Sequence, residues 1–228
     1  MTVDFNELSP HYATPAIKKL WHDFYHHEQI HQDIISQLPD DFDVLCQHYQ
    51  HLYRHDIRDD KPLTDWLIGL FDKLYGTHTQ LVHSTGEPEY FAPKNNQPAY
   101  IAFAHGFFNS ALHEISHWCV AGKHRRTLDD FGYWYCPDGR DEATQKAFEQ
   151  VEIKPQAIEC LLNMALGRYF YVSQDNLNAN FDTTNSTFAQ DVYDKALLFL
   201  HQPSSLPPDA RRLIWVFLSA AGFDGLTS

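Results

Sequence analysis

The chain has 228 residues, 43% of them hydrophobic and 21% charged, which is enough apolar material for a substantial buried core. It contains no apolar run of the roughly 18 residues that a membrane span needs. Its net charge of −13, counted with histidine neutral, argues against nonspecific binding to nucleic acid, which requires cationic surface to displace counterions. An acidic body instead favours a partner or substrate carrying amines, besides keeping the protein soluble. Four cysteines (46, 119, 136 and 160) are scattered without a C-x-x-C pair, which suits free thiols in a reducing compartment. The opening "MTVDFNELSPHY" lacks the basic patch and apolar core of a secretory leader, so the expected location is the cytoplasm.

Residues 1–60 read as a helical N-terminal extension, separable from a catalytic unit over 61–228. "TPAIKKLWHDFYHHEQIHQDIISQL" begins with Thr14 as N-cap and Pro15 at the first helical position, with Leu20, Phe24, Ile30 and Ile34 as its apolar stripe. "PDDFDVLCQHYQHLYRHDI" repeats the pattern with Val44, Leu45, Tyr49, Leu52 and Tyr53. "RDDKP" at 58–62 is the boundary, and "LTDWLIGLFDKLYG" is a third helix ending at Gly76. The period then changes: "TQLVHS" and "PAYIAFA" are β-prone runs separated by the turn-rich "TGEPEYFAPKNNQ". A helix from about Asn109 or Ser110 to Gly122 follows, then the aromatic "FGYWYCPDGRD" with a turn at Pro137–Gly139. "DEATQKAFEQVE" predicts a helix, and Pro155 the start of another reaching Gly167. The expected fold is α+β: a helix-dominated domain with a small β-sheet.

"ALHEISHWCVAG" carries the chemistry. His113 and His117 lie four apart, so a helix projects both imidazoles from one face, beside the apolar stripe Leu112, Ile115 and Cys119. This H-E-x-x-H spacing points to a metal clamp. A third ligand can come from "FEQVEIKPQAIE", which offers Glu149, Glu152 and Glu159; Glu152 is preferred, the others reading equally as solvated helix residues. His105, just after "YIAFA", is a further ligand candidate or a partner behind the ligands. With zinc, Glu114 would be the general base of a metallopeptidase. With Fe(II), two histidines and one carboxylate leave positions for oxygen, and Glu114 becomes a supporting group. Spacing alone slightly favours zinc.

Other clusters read more plainly. His22, His26 and His27, and His48, His51 and His55, fit solvated helix faces. Lys123, His124, Arg125 and Arg126 follow the motif helix, where positive charge suits a C-terminus, and they offer a docking point for an acidic protein. Tyr133, Trp134 and Tyr135 are core aromatics or a wall for an alkylammonium side chain, with Asp138 or Asp141 holding the amine. Cys119 and Cys136 read as buried or incidental thiols.

Together, "FAHGFFNSALHEISHWCVAGKHRR", "DFGYWYCPDGRD" and "FEQVEIKPQA" resemble the elongation factor P hydroxylase family (EpmC/YfcM), over approximately residues 64–200. The resemblance implies an iron-dependent oxygenase that hydroxylates the β-lysylated lysine of translation elongation factor P, the final step of that residue's modification. It also implies Fe(II) held by His113, His117 and Glu152, with molecular oxygen as co-substrate. An acidic enzyme would attract a side chain bearing two amines. The three blocks move the reading from zinc to iron.

Overall fold

The Thr14 side chain accepts from the Ile17 amide and Pro15 opens the first helix, α1 (Pro15–Tyr25), so the expected cap is in place. The computed structural model describes residues 3–54, 60–132, 139–174, 176 and 186–223. The run expected as one helix from Thr14 is broken at His26–His27, and α2 (Glu28–Ile35) starts a second segment that buries Ile30 and Ile34. Then come α3 (Phe42–Arg54) and α4 (Lys61–Tyr75), the latter closed at Gly76. Within α3 the inner face is Phe42, Tyr49 and Leu52, whereas Val44 points to solvent.

A three-stranded sheet follows, in the order β1 (Thr79–Ser84), β3 (Ala99–Ala104), β2 (Glu89–Phe91). β1 and β3 are parallel, with Thr79 opposite Ala99, and β2 is antiparallel to β3, with Tyr90 opposite Ile101. β2 was hidden in a stretch read as turns, because three residues between Pro88 and Ala92 give no periodicity to detect. Its outer edge is closed by side chains: the Tyr90 amide donates to Asp130 at 3.0 Å and the Ala92 amide to Asp129 at 2.9 Å.

The sheet leads directly into α5 (Phe108–Arg125), the motif helix, whose regular turns stop at Gly122 (φ 67°, ψ 176°). α6 (Glu142–Ala165) packs against α5 and is the centre of the molecule, flanked by α7 (Phe188–His201) and α8 (Pro208–Ala220). Every residue of α6 from Pro155 to Ala165 is buried. Pro155 does not start a new helix: α6 runs through it unbroken. The proline removes one amide donor, to the Val151 carbonyl, in the half of α6 where Val151 is exposed and water can replace it. α6 ends in two nested bonds, Gly167 N–H to Met164 C=O and Arg168 N–H to Asn163 C=O, with Gly167 at φ 70°.

One buried cluster runs from Phe5 to Phe223 and includes residues of α1, α2 and α3. Tyr25 stacks on Trp215 of α8 at 5.1 Å, and the Tyr49 hydroxyl donates to the Leu166 carbonyl at 2.7 Å. The expected boundary at 58–62 falls partly on residues outside those described. Among the described residues, no helix is long and apolar enough to cross a membrane.

Candidate metal centre on α5 and α6

β3 delivers the chain to α5 through His105 (φ 52°) and Gly106 (φ 74°). A side chain at 106 would put its Cβ 3.1 Å from His83 Nδ1, so both conformation and space call for glycine there. The Thr64 hydroxyl donates to the Gly106 carbonyl and the Ser110 hydroxyl accepts from the Ala104 amide, which fixes the entry to the helix. Leu112, Ile115 and Cys119 then bury one stripe of α5, and that orients His113 and His117 towards α6.

The two imidazoles meet with their Nε2 atoms 3.2 Å apart. Glu152 of α6 reaches both: its Oε1 lies 3.2 Å from His117 Nε2 and its Oε2 3.8 Å from His113 Nε2. Two donors each about 2.1 Å from a common ion and 90–109° apart would be separated by roughly 3.0–3.4 Å. The two 3.2 Å spacings, His113 Nε2 to His117 Nε2 and His117 Nε2 to Glu152 Oε1, fall in that range and suit a shared ion, whereas Oε2 at 3.8 Å from His113 stands outside it. Among the described residues, His113, His117 and Glu152 form the group whose ligand atoms lie within 4.8 Å of one another.

Glu159, expected as a rival ligand or a solvated residue, is not solvated: it is buried and holds His113 Nδ1 at 2.9 Å, outside the group of converging donors. A carboxylate can only accept, so in the neutral imidazole Nδ1 keeps its hydrogen and Nε2 presents its lone pair to the cluster. Glu149 is also buried, taken up by Gln145 at 3.2 Å and the Ser186 hydroxyl at 2.9 Å. Gln156, at 1% exposure, donates to Glu152 Oε2 at 3.3 Å. These side chains were missed as a set. Gln145, Glu149, Glu152, Gln156, Glu159 and Asn163 recur every three or four residues along one face of α6, all buried. That periodicity of polar residues was the available signal.

Burial opposes a proton on His113, but the bond from Glu159 and the charges of Glu159, Glu114 and Glu152 raise its pKa to about 10. Burial likewise opposes a charge on Glu152, and His117 first, then His113 and Gln156, bring it down to about 2. Glu114 sits one residue from His113, its carboxyl pushed upward by burial against the pull of His113 and His117.

A sequence model of the family described as elongation factor P hydroxylase matches residues 70–224. The chain belongs to that family. A protein of Haemophilus influenzae named elongation factor P lysine hydroxylase is 46% identical over 151 residues, which is 64% of this chain and 83% of that protein. The elongation factor P hydroxylase match contains the whole cluster on α5 and α6 and begins inside α4, after the N-terminal helices.

The remaining expectations fall in different places. His105 is exposed beside Phe107 and stands outside the cluster. Tyr133, Trp134, Tyr135, Cys136 and Asp138 lie outside the described residues. Asp141 is the N-cap of α6, accepting from the Thr144 amide at 2.8 Å. His22, His26, His27, His48 and His51 are exposed, and His55 is not described. Of the basic cluster, Arg126 pairs with Asp209 at 2.7 Å and lies over the Trp118 ring, while Arg125 donates to the Phe131 carbonyl. Those two side chains tie α5 to α8 and to the loop after it. Cys119 and Cys160 are buried thiols whose pKa burial drives well upward.

Proposed function

We propose that this protein is an Fe(II)-dependent oxygenase that hydroxylates the β-lysylated lysine of translation elongation factor P in the cytoplasm. The observation that carries the reading is the convergence of His113 Nε2, His117 Nε2 and Glu152 on one point, inside the region matched by the family. The name of the Haemophilus influenzae relative, elongation factor P lysine hydroxylase, supports the substrate.

Two imidazoles and one carboxylate form the donor set that suits non-haem iron while leaving positions free. Bound Fe(II) would supply the redox chemistry by which molecular oxygen attacks an aliphatic C–H bond. His113 and His117 hold two sites from one helix, and Glu152 supplies the anionic third from the facing helix. Glu159 keeps His113 in the tautomer that can bind. His113 and His117 retain 30% and 18% side-chain exposure, so the centre can be approached from outside. Glu114 has a supporting role beside the ligands. Tyr133 would provide a wall for the lysyl chain, with Asp138 or Asp141 holding the amine. Residues 61–228 form the catalytic unit in this reading, and residues 1–60 a helical extension that buttresses it.

The test is incubation of the purified protein with Fe(II), oxygen, a two-electron reductant such as ascorbate to reduce the second oxygen atom to water, and β-lysylated elongation factor P, followed by intact mass measurement. The expected result is a gain of one oxygen atom, lost together with iron binding in His117→Ala. Hydroxylation that persists in His117→Ala refutes the reading.

A further inference from the structure

After the turn at Gly167 the chain runs back along α6 as an extended segment, residues 168–174, with Phe170 buried and Tyr169 and Tyr171 exposed at 60% and 80%. No strand pairs with it among the described residues. Side-chain amides of α6 hold it instead. Gln156 Oε1 accepts from the Ser173 amide at 2.9 Å, and Gln156 Nε2 donates to the Ser173 carbonyl at 2.8 Å. One glutamine thus satisfies both backbone groups of Ser173, as a neighbouring strand would. The pairing fixes which way the amide points: the Ser173 N–H requires the oxygen, so Nε2 is the atom that faces Glu152. That nitrogen's second contact is Glu152 Oε2 at 3.3 Å, while Oε1 is the oxygen 3.2 Å from His117. About three turns earlier on the same face of α6, Gln145 repeats half of the arrangement, donating to the Gln174 carbonyl at 2.9 Å and to Glu149 at 3.2 Å.

We propose that Gln156 is a positioning residue that ties the orientation of the Glu152 carboxylate to the backbone of segment 168–174, so that loading the metal centre and ordering this segment are coupled. The inference rests on the reading of His113, His117 and Glu152 as a metal site. A carboxylate anchored through Oε2 turns Oε1 towards the histidines. A segment anchored to the same amide feels any shift of that carboxylate. Coupling of this kind is reciprocal: metal tightens the segment, and release of the segment weakens metal binding.

Co(II) serves as a probe, because its visible spectrum reports its ligand geometry. In the wild-type protein, Co(II) should slow deuterium uptake in a peptide spanning 169–174 by about fivefold or more. In Gln156→Leu the Co(II) dissociation constant should rise by about tenfold or more, with an altered spectrum, and Co(II) should no longer slow uptake in that peptide. A purely structural glutamine would change uptake in the metal-free variant and leave the Co(II) affinity and spectrum alone. That result overturns the proposal. So does bound Co(II) that leaves the wild-type peptide unchanged, a comparison that decides the matter even if Gln156→Leu fails to fold. Wild-type protein that binds no Co(II), or binds it equally after His117→Ala, refutes the metal site itself, and the coupling with it.

Discussion

His113 uses its two ring nitrogens differently: Nδ1 is held by Glu159 and Nε2 points at His117 and Glu152. Removing the Glu159 charge while keeping its shape should loosen that hold. Glu159→Gln is expected to weaken Co(II) binding about 10- to 100-fold in a titration, with the fold intact by circular dichroism. Glu114 offers a contrast, since it is adjacent to the ligands without being one of the converging donors. Glu114→Gln should leave the Co(II) stoichiometry at the wild-type value, and loss of the ion would reassign it as a ligand. Asp141 needs a variant that separates two roles. Asparagine caps a helix as well as aspartate does, so Asp141→Asn should keep the melting temperature. A rise in KM for the lysylated substrate in that variant would support the amine-holding role, and an unchanged KM would leave only the cap. The histidine pair was legible because four-residue spacing on a helix is a local rule. Glu159 was not, because a carboxylate behind a ligand looks in sequence like any surface glutamate.

α6 explains why one acidic residue could be preferred but its neighbours misread. Its inner face alternates polar residues at helical spacing, from Gln145 to Asn163, inside a helix that is otherwise fully buried after Pro155. Pro155 in sequence predicts a helix start, the position where proline is most at home. Packing on α5, α7 and α8 offsets the lost backbone bond and keeps one continuous helix. The sheet gives a parallel case, with β2 too short to read and its edge closed by Asp129 and Asp130 from a loop forty residues away. Asp130→Ala should cost about 1–2 kcal/mol in urea unfolding, with Asp130→Asn closer to wild type because asparagine keeps the acceptor and tolerates the positive φ of 47°. Asp129 should also make this edge acid-sensitive. Lys94, then the Ala92 amide, hold its carboxyl below the ordinary value of 3.8. A depressed pKa stabilises above the unfolded value, so the contribution persists above about pH 4 and fades as pH falls through the lower, folded value. The protection factor of the Ala92 amide, taken relative to its intrinsic exchange rate at each pH, should fall over that acid range, and a flat profile would count against the clamp.

The N-terminal helices look separable in sequence, being set off by a charged, proline-closed stretch, and they lie before the family match at residue 70. In the folded chain they complete the core. Trp21 donates to the Leu8 carbonyl at 2.7 Å, Trp66 of α4 to the Leu45 carbonyl at 2.9 Å, and Trp215 of α8 to the Tyr25 carbonyl at 3.0 Å. Removing residues 1–60 would uncover the faces of α4 and α8 that these helices bury. Calorimetry of the whole chain is expected to give one unfolding transition, and a chain starting at residue 61 should lose cooperative unfolding. Two resolved transitions in the whole chain would establish an independent N-terminal unit.

Local pattern sufficed for much of this protein: the capped first helix, the motif helix and its stop at Gly122, the two longer strands, the histidine pair and the family. Those features depend on periods of two and 3.6 residues, on capping chemistry and on unusual strings, all of which are contained in short windows of sequence. Tertiary structure decided which carboxylate faces the histidines, what Glu149 and Glu159 do, that α6 continues through Pro155, and that the first helices share one core with the rest. Each of these turns on contacts between residues far apart in the chain, where packing outweighs local preference.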